Sequence, residues 1–270
     1  MLELEGNFDD AMRAIRELGE DESIYVVNSI NPFRIEGQKT VAAELLQQRN
    51  WRVPDHVVVP GGNLGNSAAL GKGFKELYDL GVIDRLPRLS VIQAEGAAPL
   101  AQLFAHPGEE NPSIEDFRAR SLTPVAHPHT LASAIKIGSP VSWRKAVRSV
   151  LWTGGHVLTV NEQQIADARA IIGRDGIGCE PASATTVAGI KKMVAAKLID
   201  SGETVVAVLT GHVLKDTDYA INYHRETLYT HDRSDSKSKE ERHINSTYAN
   251  HAARVKASKE AILKHLEKRG

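Results

Sequence analysis

Residues Val57-Val58-Val59-Pro60-Gly61-Gly62-Asn63-Leu64-Gly65-Asn66-Ser67-Ala68 confine the fold more tightly than any other stretch, because a β-branched run breaks into a glycine-rich turn and then opens a helix. Short valine runs read as buried strands. Glycines after such a strand remove the Cβ atoms that would keep a ligand away from the backbone N–H groups. The helix expected from Ser67 to Leu80 points its unpaired N–H groups and positive dipole end into the same turn. This is how proteins hold a phosphate; a tight strand-to-helix connection with no ligand is the plainer alternative. Asn63 and Asn66 flank Leu64-Gly65 with side-chain donors, more polar supply than a plain connection needs. A dinucleotide fold calls for Gly-x-Gly-x-x-Gly and a later acidic residue, and a nucleoside triphosphate loop for Gly-Lys-Ser/Thr. Asn66-Ser67-Ala68 stands where that lysine would be, so a single phosphate on a cofactor is expected.

The 270 residues are 41% hydrophobic, enough to bury a sizeable core as one large or two small domains. With 33 basic and 34 acidic residues the net charge is −1, which gives no electrostatic reason for a nucleic acid or an anionic membrane as partner. The ligand should be small. A single cysteine, Cys179, excludes an intramolecular disulfide, and no apolar stretch approaches the ~20 residues of a membrane span. Met1-Leu2-Glu3-Leu4-Glu5-Gly6 has neither the basic region nor the apolar core of a signal peptide, so a cytoplasmic protein is expected.

Strand and helix patterns alternate, which predicts an α/β fold with a largely parallel sheet. Phe8, Met12, Ile15 and Leu18 line one side of a first helix that Gly19 ends, with Asn7 or Asp9 as its cap. Ile24 to Val27 reads as a strand, Thr40 to Arg49 as a helix, Val57 to Val59 as a strand and Leu89 to Gln93 as another. Five prolines between Gly96 and His129 predict short helices and loops. Val157 to Val160 then reads as a strand, and Asn161-Glu162-Gln163-Gln164 as a capping-box start for a helix through Ile172. Ala182 to Leu198 is expected as helix and Thr204 to Leu209 as strand. The stretch 231–239 is mixed in charge and nearly free of apolar residues, a solvated loop or disordered bridge. A final helix from Tyr248 to Lys268 would pack through Val255, Ile262, Leu263 and Leu266.

Two further clusters carry chemistry. Leu209-Thr210-Gly211-His212 closes a valine-rich strand with a hydroxyl residue, and strand carboxyl ends are where open α/β sheets place ligands. Thr210 bonded to its own backbone is the alternative. Asn28-Ser29-Ile30-Asn31-Pro32-Phe33-Arg34 concentrates amides, a hydroxyl and a guanidinium in seven residues. Such a cluster suits an anionic substrate, since arginine's planar fork grips phosphate or carboxylate; a turn stabilised by asparagine caps is the competing reading. His127-Pro128-His129 lacks further ligands nearby, so no metal is expected, and Cys179 reads as a buried structural thiol.

Together these segments resemble the threonine synthases, pyridoxal-phosphate enzymes of the tryptophan-synthase-β-like fold. The resemblance runs through Phe8-Asp9-Asp10-Ala11, the stretch from Asn28 to Thr40, Pro60 to Asn66, Ala134-Ile135-Lys136-Ile137-Gly138-Ser139-Pro140, Cys179-Glu180-Pro181-Ala182-Ser183, and Leu209 to Asp216. It implies a large cofactor-binding α/β domain at 28–230, a remnant of a small domain at 1–27, and a flexible link with a C-terminal helix at 231–270. It further implies that Gly62, Asn63, Leu64, Gly65 and Asn66 bind the phosphate of pyridoxal 5'-phosphate, and that Thr210 hydrogen-bonds the ring nitrogen. A neutral hydroxyl there leaves that nitrogen less protonated than a carboxylate would. Asn28, Ser29 and Arg34 resemble the pocket for the substrate's phosphate, and the family reaction converts O-phospho-L-homoserine and water into L-threonine and phosphate.

The family's cofactor-carrying lysine sits in a Ser-Phe-Lys-Asp-like motif upstream of the Asn-Ser-Ile-Asn-Pro segment, and the first 27 residues here contain no lysine. Lys75 in Gly73-Phe74-Lys75-Glu76 reads as a solvated helical lysine, so no catalytic residue is assigned; Lys39 and Lys136 are the first to test should the chain turn over by itself. The expectation is an incomplete chain, inactive alone, that associates with a separate N-terminal fragment or with copies of itself. A non-catalytic ligand-binding paralogue and the product of a truncated or split reading frame are the alternatives.

Overall fold

The computed structural model describes residues 5, 8–20, 24–27, 31–105, 113–231 and 241–267. Among them four parallel strands form one sheet: β1 (His56–Pro60), β2 (Arg88–Ala94), β3 (Val157–Val160) and β4 (Val205–Ala207), in the order β3-β2-β1-β4. Val58 at the centre of β1 pairs with Ser90 of β2 on one side and Ala207 of β4 on the other. Parallel neighbours need a crossover, and helices supply it. Gly65–Asp79 links β1 to β2, Trp143–Thr153 precedes β3, and Glu162–Arg174 with Pro181–Ala195 returns the chain to β4.

Successive side chains of a strand point to opposite faces. Val57 and Val59 pack with Leu46, Leu70, Phe74, Val147 and Val150 from the helices Thr40–Gln48, Gly65–Asp79 and Trp143–Thr153. Val58 faces the other way, onto Ile92, Val160, Ile165, Ala184 and Met193, beneath Glu162–Arg174 and Pro181–Ala195. Because both faces are covered, β1 is buried along its whole length and shows no apolar/polar alternation. Burying each such valine contributes ~1.5–3 kcal/mol.

Most expected elements form. The capping box is present: Gln164 N–H donates to Asn161 Oδ1 at 2.9 Å while Asn161 N–H donates to Gln164 Oε1 at 2.9 Å. The first helix spans Phe8–Glu20. Two expectations fail. Ile24 to Val27 is not a strand; Asn31 Nδ2 donates to Tyr25 Oη and to Val26 O, both at 2.9 Å, and Tyr25 and Val27 stay exposed. β-branched residues do not make a strand without a neighbouring ladder. The last helix covers only Lys259–Glu267 and buries none of its residues. Upstream of it, Tyr248 N–H donates to Tyr223 Oη (3.1 Å) and Asn250 N–H to His224 Nδ1 (3.0 Å), so side chains capture donors that a helix would need. The expected packing stripe is exposed at Val255, Ile262, Leu263 and Leu266. Of the stretch 231–239 expected as a solvated loop or disordered bridge, only His231 is described; it closes β5 (Tyr229–His231), which pairs antiparallel with β6 (Glu241–His243), and 232–240 lies outside the described residues.

Candidate functional site

β1 ends at Pro60 and the chain turns through Leu64, whose backbone is left-handed at φ 65°, into a helix that begins at Gly65, two residues before the Ser67 expected from sequence. Such a conformation is uncommon outside glycine and asparagine. The turn is held in place from outside: Val141 N–H donates to Asn63 Oδ1 at 2.7 Å and Ser142 N–H to Asn63 O at 3.3 Å. The first helical bond joins Ala68 N–H to Leu64 O at 3.1 Å, and the N–H groups before it have no acceptor one turn back. Asn63 Nδ2 is buried and has no hydrogen-bond partner among the described residues. An orphaned buried amide beside unpaired helix-start donors is the donor set that an anionic oxygen would satisfy.

Thr210 follows β4 and leaves its own backbone aside. Its Oγ1 lies 3.1 Å from Ser183 Oγ and 3.2 Å from Glu180 Oε1, both at the start of Pro181–Ala195. The Thr210 and Gly211 N–H groups donate to Ser183 Oγ at 2.8 and 3.1 Å. Proline at the first position of that helix fixes where Glu180 and Ser183 stand. Behind them, burial pushes the Cys179 thiol up, as expected of a structural cysteine, and lowers the Arg169 guanidinium from its usual value.

Arg34 sits on a short helix, Pro32–Gln38, capped by Asn31, whose Oδ1 accepts from Phe33 N–H at 3.0 Å. The asparagine-cap reading of this segment is thus correct for Asn31. Glu36 ties this helix to Gly65–Asp79 through Lys39 and Lys72, whose hydrogen bonds hold its carboxyl at about 2. Asn28 and Ser29 lie outside the described residues.

A cleft of about 420 Å³ brings the pieces together. Gly62, Asn63, Leu64, Gly65, Asn66, Thr210 and Arg34 all line it, at the carboxyl ends of β1 and β4. It also takes in Gln38, Glu180, Lys215 and residues of 133–137, to which the sequence assigned no role. Lys39 and Lys136 do not line it; Lys39 Nζ is 2.7 Å from carboxylates of both Glu36 and Glu76. Lys75 is likewise elsewhere, bonded to Asp79 at 2.7 Å one turn along its helix. The lysine on the cleft is Lys215, with Nζ 3.3 Å from Glu180 Oε2. Among the described residues no group of His, Cys, Asp and Glu is placed to hold a metal ion, and no helix is long and apolar enough to cross a membrane.

Residues 1–211 match the family described as Pyridoxal-phosphate dependent enzyme. The chain belongs to that family. Within it, the chain is 43% identical over 229 residues to "Threonine synthase" of Methanocaldococcus jannaschii, covering 84% of this chain and 54% of the relative. To "Threonine synthase 2, chloroplastic" of Arabidopsis thaliana it is 40% identical over 228 residues, 84% of this chain and 42% of the relative. The chain therefore spans about half the length of the curated relatives it matches. Threonine deaminase isoform 2 of Solanum lycopersicum superposes with a TM-score of 0.59 at 21% identity, over 81% of this chain and 56% of that one. The L-serine ammonia-lyase of Rhizomucor miehei gives 0.57 at 18% identity, over 74% and 60%. At such identities the structures speak for the fold, which is the α/β, tryptophan-synthase-β-like architecture of these pyridoxal-phosphate enzymes.

Proposed function

We propose that the cleft holds pyridoxal 5'-phosphate and that the chain serves a threonine synthase-type reaction, in which O-phospho-L-homoserine and water give L-threonine and phosphate. One observation carries this reading: the glycine-asparagine loop, Thr210 and Arg34, far apart in sequence, line a single cleft. Gly62, Asn63, Leu64, Gly65 and Asn66 would hold the cofactor phosphate, with the Asn63 amide as an otherwise unused donor. Thr210 would meet the ring nitrogen. Arg34, with Asn28 and Ser29, would bind the substrate's phosphate. When bound, the cofactor supplies an electron sink beside the substrate's α-carbon. The protein's part is to orient the two phosphates and to fix the proton at Thr210. The domain division that goes with this reading is 1–27, 28–230 and 231–270.

The finer part of the proposal is that the described residues lining the cleft do not themselves carry the cofactor covalently, and that turnover needs a lysine they do not supply. It is supported by Lys215, the lysine on the cleft, being engaged by Glu180. Borohydride treatment after incubation with pyridoxal phosphate should then leave the cleft unmodified; a label on Lys215 would overturn this part, as would robust turnover by the chain alone.

Affinities test the site itself. A charge-assisted hydrogen bond contributes ~1.5–3 kcal/mol, one to two powers of ten. Asn66→Ala should weaken the cofactor on that scale, and Arg34→Ala should chiefly weaken phosphohomoserine binding in the reconstituted enzyme. Loss of cofactor alone in Arg34→Ala would contradict the assignment of the substrate pocket.

A further inference from the structure

The hydroxyl of Thr210 has fewer options than its neutrality suggests, provided the cleft is the cofactor site proposed above. Ser183 Oγ accepts from the N–H groups of Thr210 and Gly211, at 2.8 and 3.1 Å, which occupies both of its lone pairs. Its own proton is left for Thr210 Oγ1, 3.1 Å away. Thr210 in turn donates to Glu180 Oε1 at 3.2 Å. Glu180 is only 3% exposed, and its N–H donates to Gly211 O at 3.1 Å. A Cβ on Gly211 would fall 2.1 Å from the Glu180 carboxyl carbon, so a side chain at 211 would push the carboxylate from its seat. Glu180 Oε2 is buried without an aligned hydrogen bond; Lys215 Nζ at 3.3 Å is its ion-pair partner, outside hydrogen-bond geometry.

With its proton given to Glu180 and one lone pair taken by Ser183, Thr210 has a single lone pair left. We propose that Glu180 is a positioning residue that makes Thr210 a hydrogen-bond acceptor toward the cleft, so that the site selects a cofactor ring whose nitrogen carries its proton. Taken alone, a threonine hydroxyl can turn its proton onto an unprotonated ring nitrogen. Here that rotation would break the bond to Glu180 and leave a second oxygen of a buried carboxylate unsatisfied. The charged residues on the cleft are Arg34, Glu180 and Lys215, with Arg169 and the Cys179 thiol behind Glu180 and Asp216 engaged by the Ser133 hydroxyl at 2.7 Å. Glu180 is thus the one carboxylate among the residues lining the cleft.

The test uses the 270-residue chain and pyridoxine 5'-phosphate enriched in nitrogen-15 at the ring, which offers a phosphate and a ring nitrogen but no aldehyde to react with lysines. Nitrogen NMR across pH reads the protonation midpoint of the bound ring. Glu180→Gln should lower that midpoint by about one pH unit or more, the effect of removing a nearby opposite charge. Lys215→Met, at a side chain 61% exposed, strips the cation from the carboxylate and should raise the midpoint by a smaller amount. A purely structural role would not move the two in opposite directions. An unchanged midpoint in Glu180→Gln, or movement of both variants the same way, overturns the proposal. Should Glu180→Gln fail to fold, Lys215→Met decides alone, and an unchanged or lowered midpoint is the contrary result. Failure of the unaltered chain to bind the ligand saturably would overturn the cofactor site itself, an outcome distinct from bound ligand whose nitrogen ignores both changes.

Discussion

The two ends of the sheet are built from the same strands and serve opposite purposes. At the amino ends of β1, β2 and β4, polar groups find partners in each other. Asp55 accepts from Thr204 N–H at 2.8 Å and pairs with Arg85 at 3.0 Å; Glu203 accepts from Asp200 N–H at 2.7 Å, meets His56 at 3.2 Å and pairs with Arg88. Only His56 Nδ1 is left over among these side chains. At the carboxyl ends, around a 420 Å³ cleft, Asn63 Nδ2 is buried without a hydrogen-bond partner and Glu180 Oε2 has only the ion pair with Lys215 in place of a hydrogen bond. Buried polar groups are ordinarily satisfied, so an end where they are not is an end prepared for something else. One end is closed by the protein; the other, on the proposed reading, is left for a ligand.

Changes at each end should therefore separate stability from binding. The largest effect is expected from Gly155→Ala before β3, where a Cβ would lie 2.0 Å from Leu89 O. Overpacking against backbone should cost about 3 kcal/mol, or roughly 6–12 °C in Tm for a chain of this size, with pyridoxine phosphate affinity unchanged per folded molecule. Thermal unfolding together with calorimetric titration checks both halves. Asn63→Ala is the converse: affinity falls ten- to a hundredfold, while Tm without ligand moves less than in Gly155→Ala, since one loop anchor at Val141 is lost.

Asn161→Ala sharpens the comparison further, because Asn161 also follows a strand end, that of β3, yet stands outside the cleft. Loss of its capping box should cost ~1 kcal/mol of stability and leave affinity unaltered. If affinity fell, the division would lie elsewhere than at the cleft. The smallest effect concerns pH. The backbone N–H of Thr204, with Arg85, holds Asp55 below the usual carboxylate range, and that of Asp200, with His56 and Arg88, does the same for Glu203. Depressed in the folded state, both groups add stability above their unfolded pKa values and lose it as pH falls through the folded ones. Denaturant midpoints should therefore drop on acidification below the ordinary carboxylate range, less steeply in Glu203→Gln; an equal drop would show that this cluster contributes nothing.

The sequence speaks for this molecule where local and tertiary forces agree. β1 and β2 read correctly because both sheet faces are covered there, and the Asn161 capping box because it closes on itself within four residues. Trp143–Thr153 went unread although Ala146, Val147 and Val150 carry helical spacing and are all buried. Ile24 to Val27 has strand chemistry but no ladder, and Tyr248 to Lys268 has a helical stripe whose first part is drawn off by Tyr223 and His224. The loop, Thr210 and Arg34 were legible as separate clusters. Their meeting in one cleft, and the alignment of Glu180 and Ser183 behind Thr210, depend on a crossover that returns Pro181–Ala195 beside β4; no local pattern encodes it.

The most direct measurement is calorimetric titration of the unaltered chain with pyridoxine 5'-phosphate, beside the Asn63→Ala and Glu203→Gln variants. Saturable one-to-one binding, displaced by inorganic phosphate, weakened at least tenfold by Asn63→Ala and unchanged by Glu203→Gln, is the predicted result. Absence of saturation, or equal weakening by changes at the two ends of the sheet, would contradict the assignment of the carboxyl end as the ligand's.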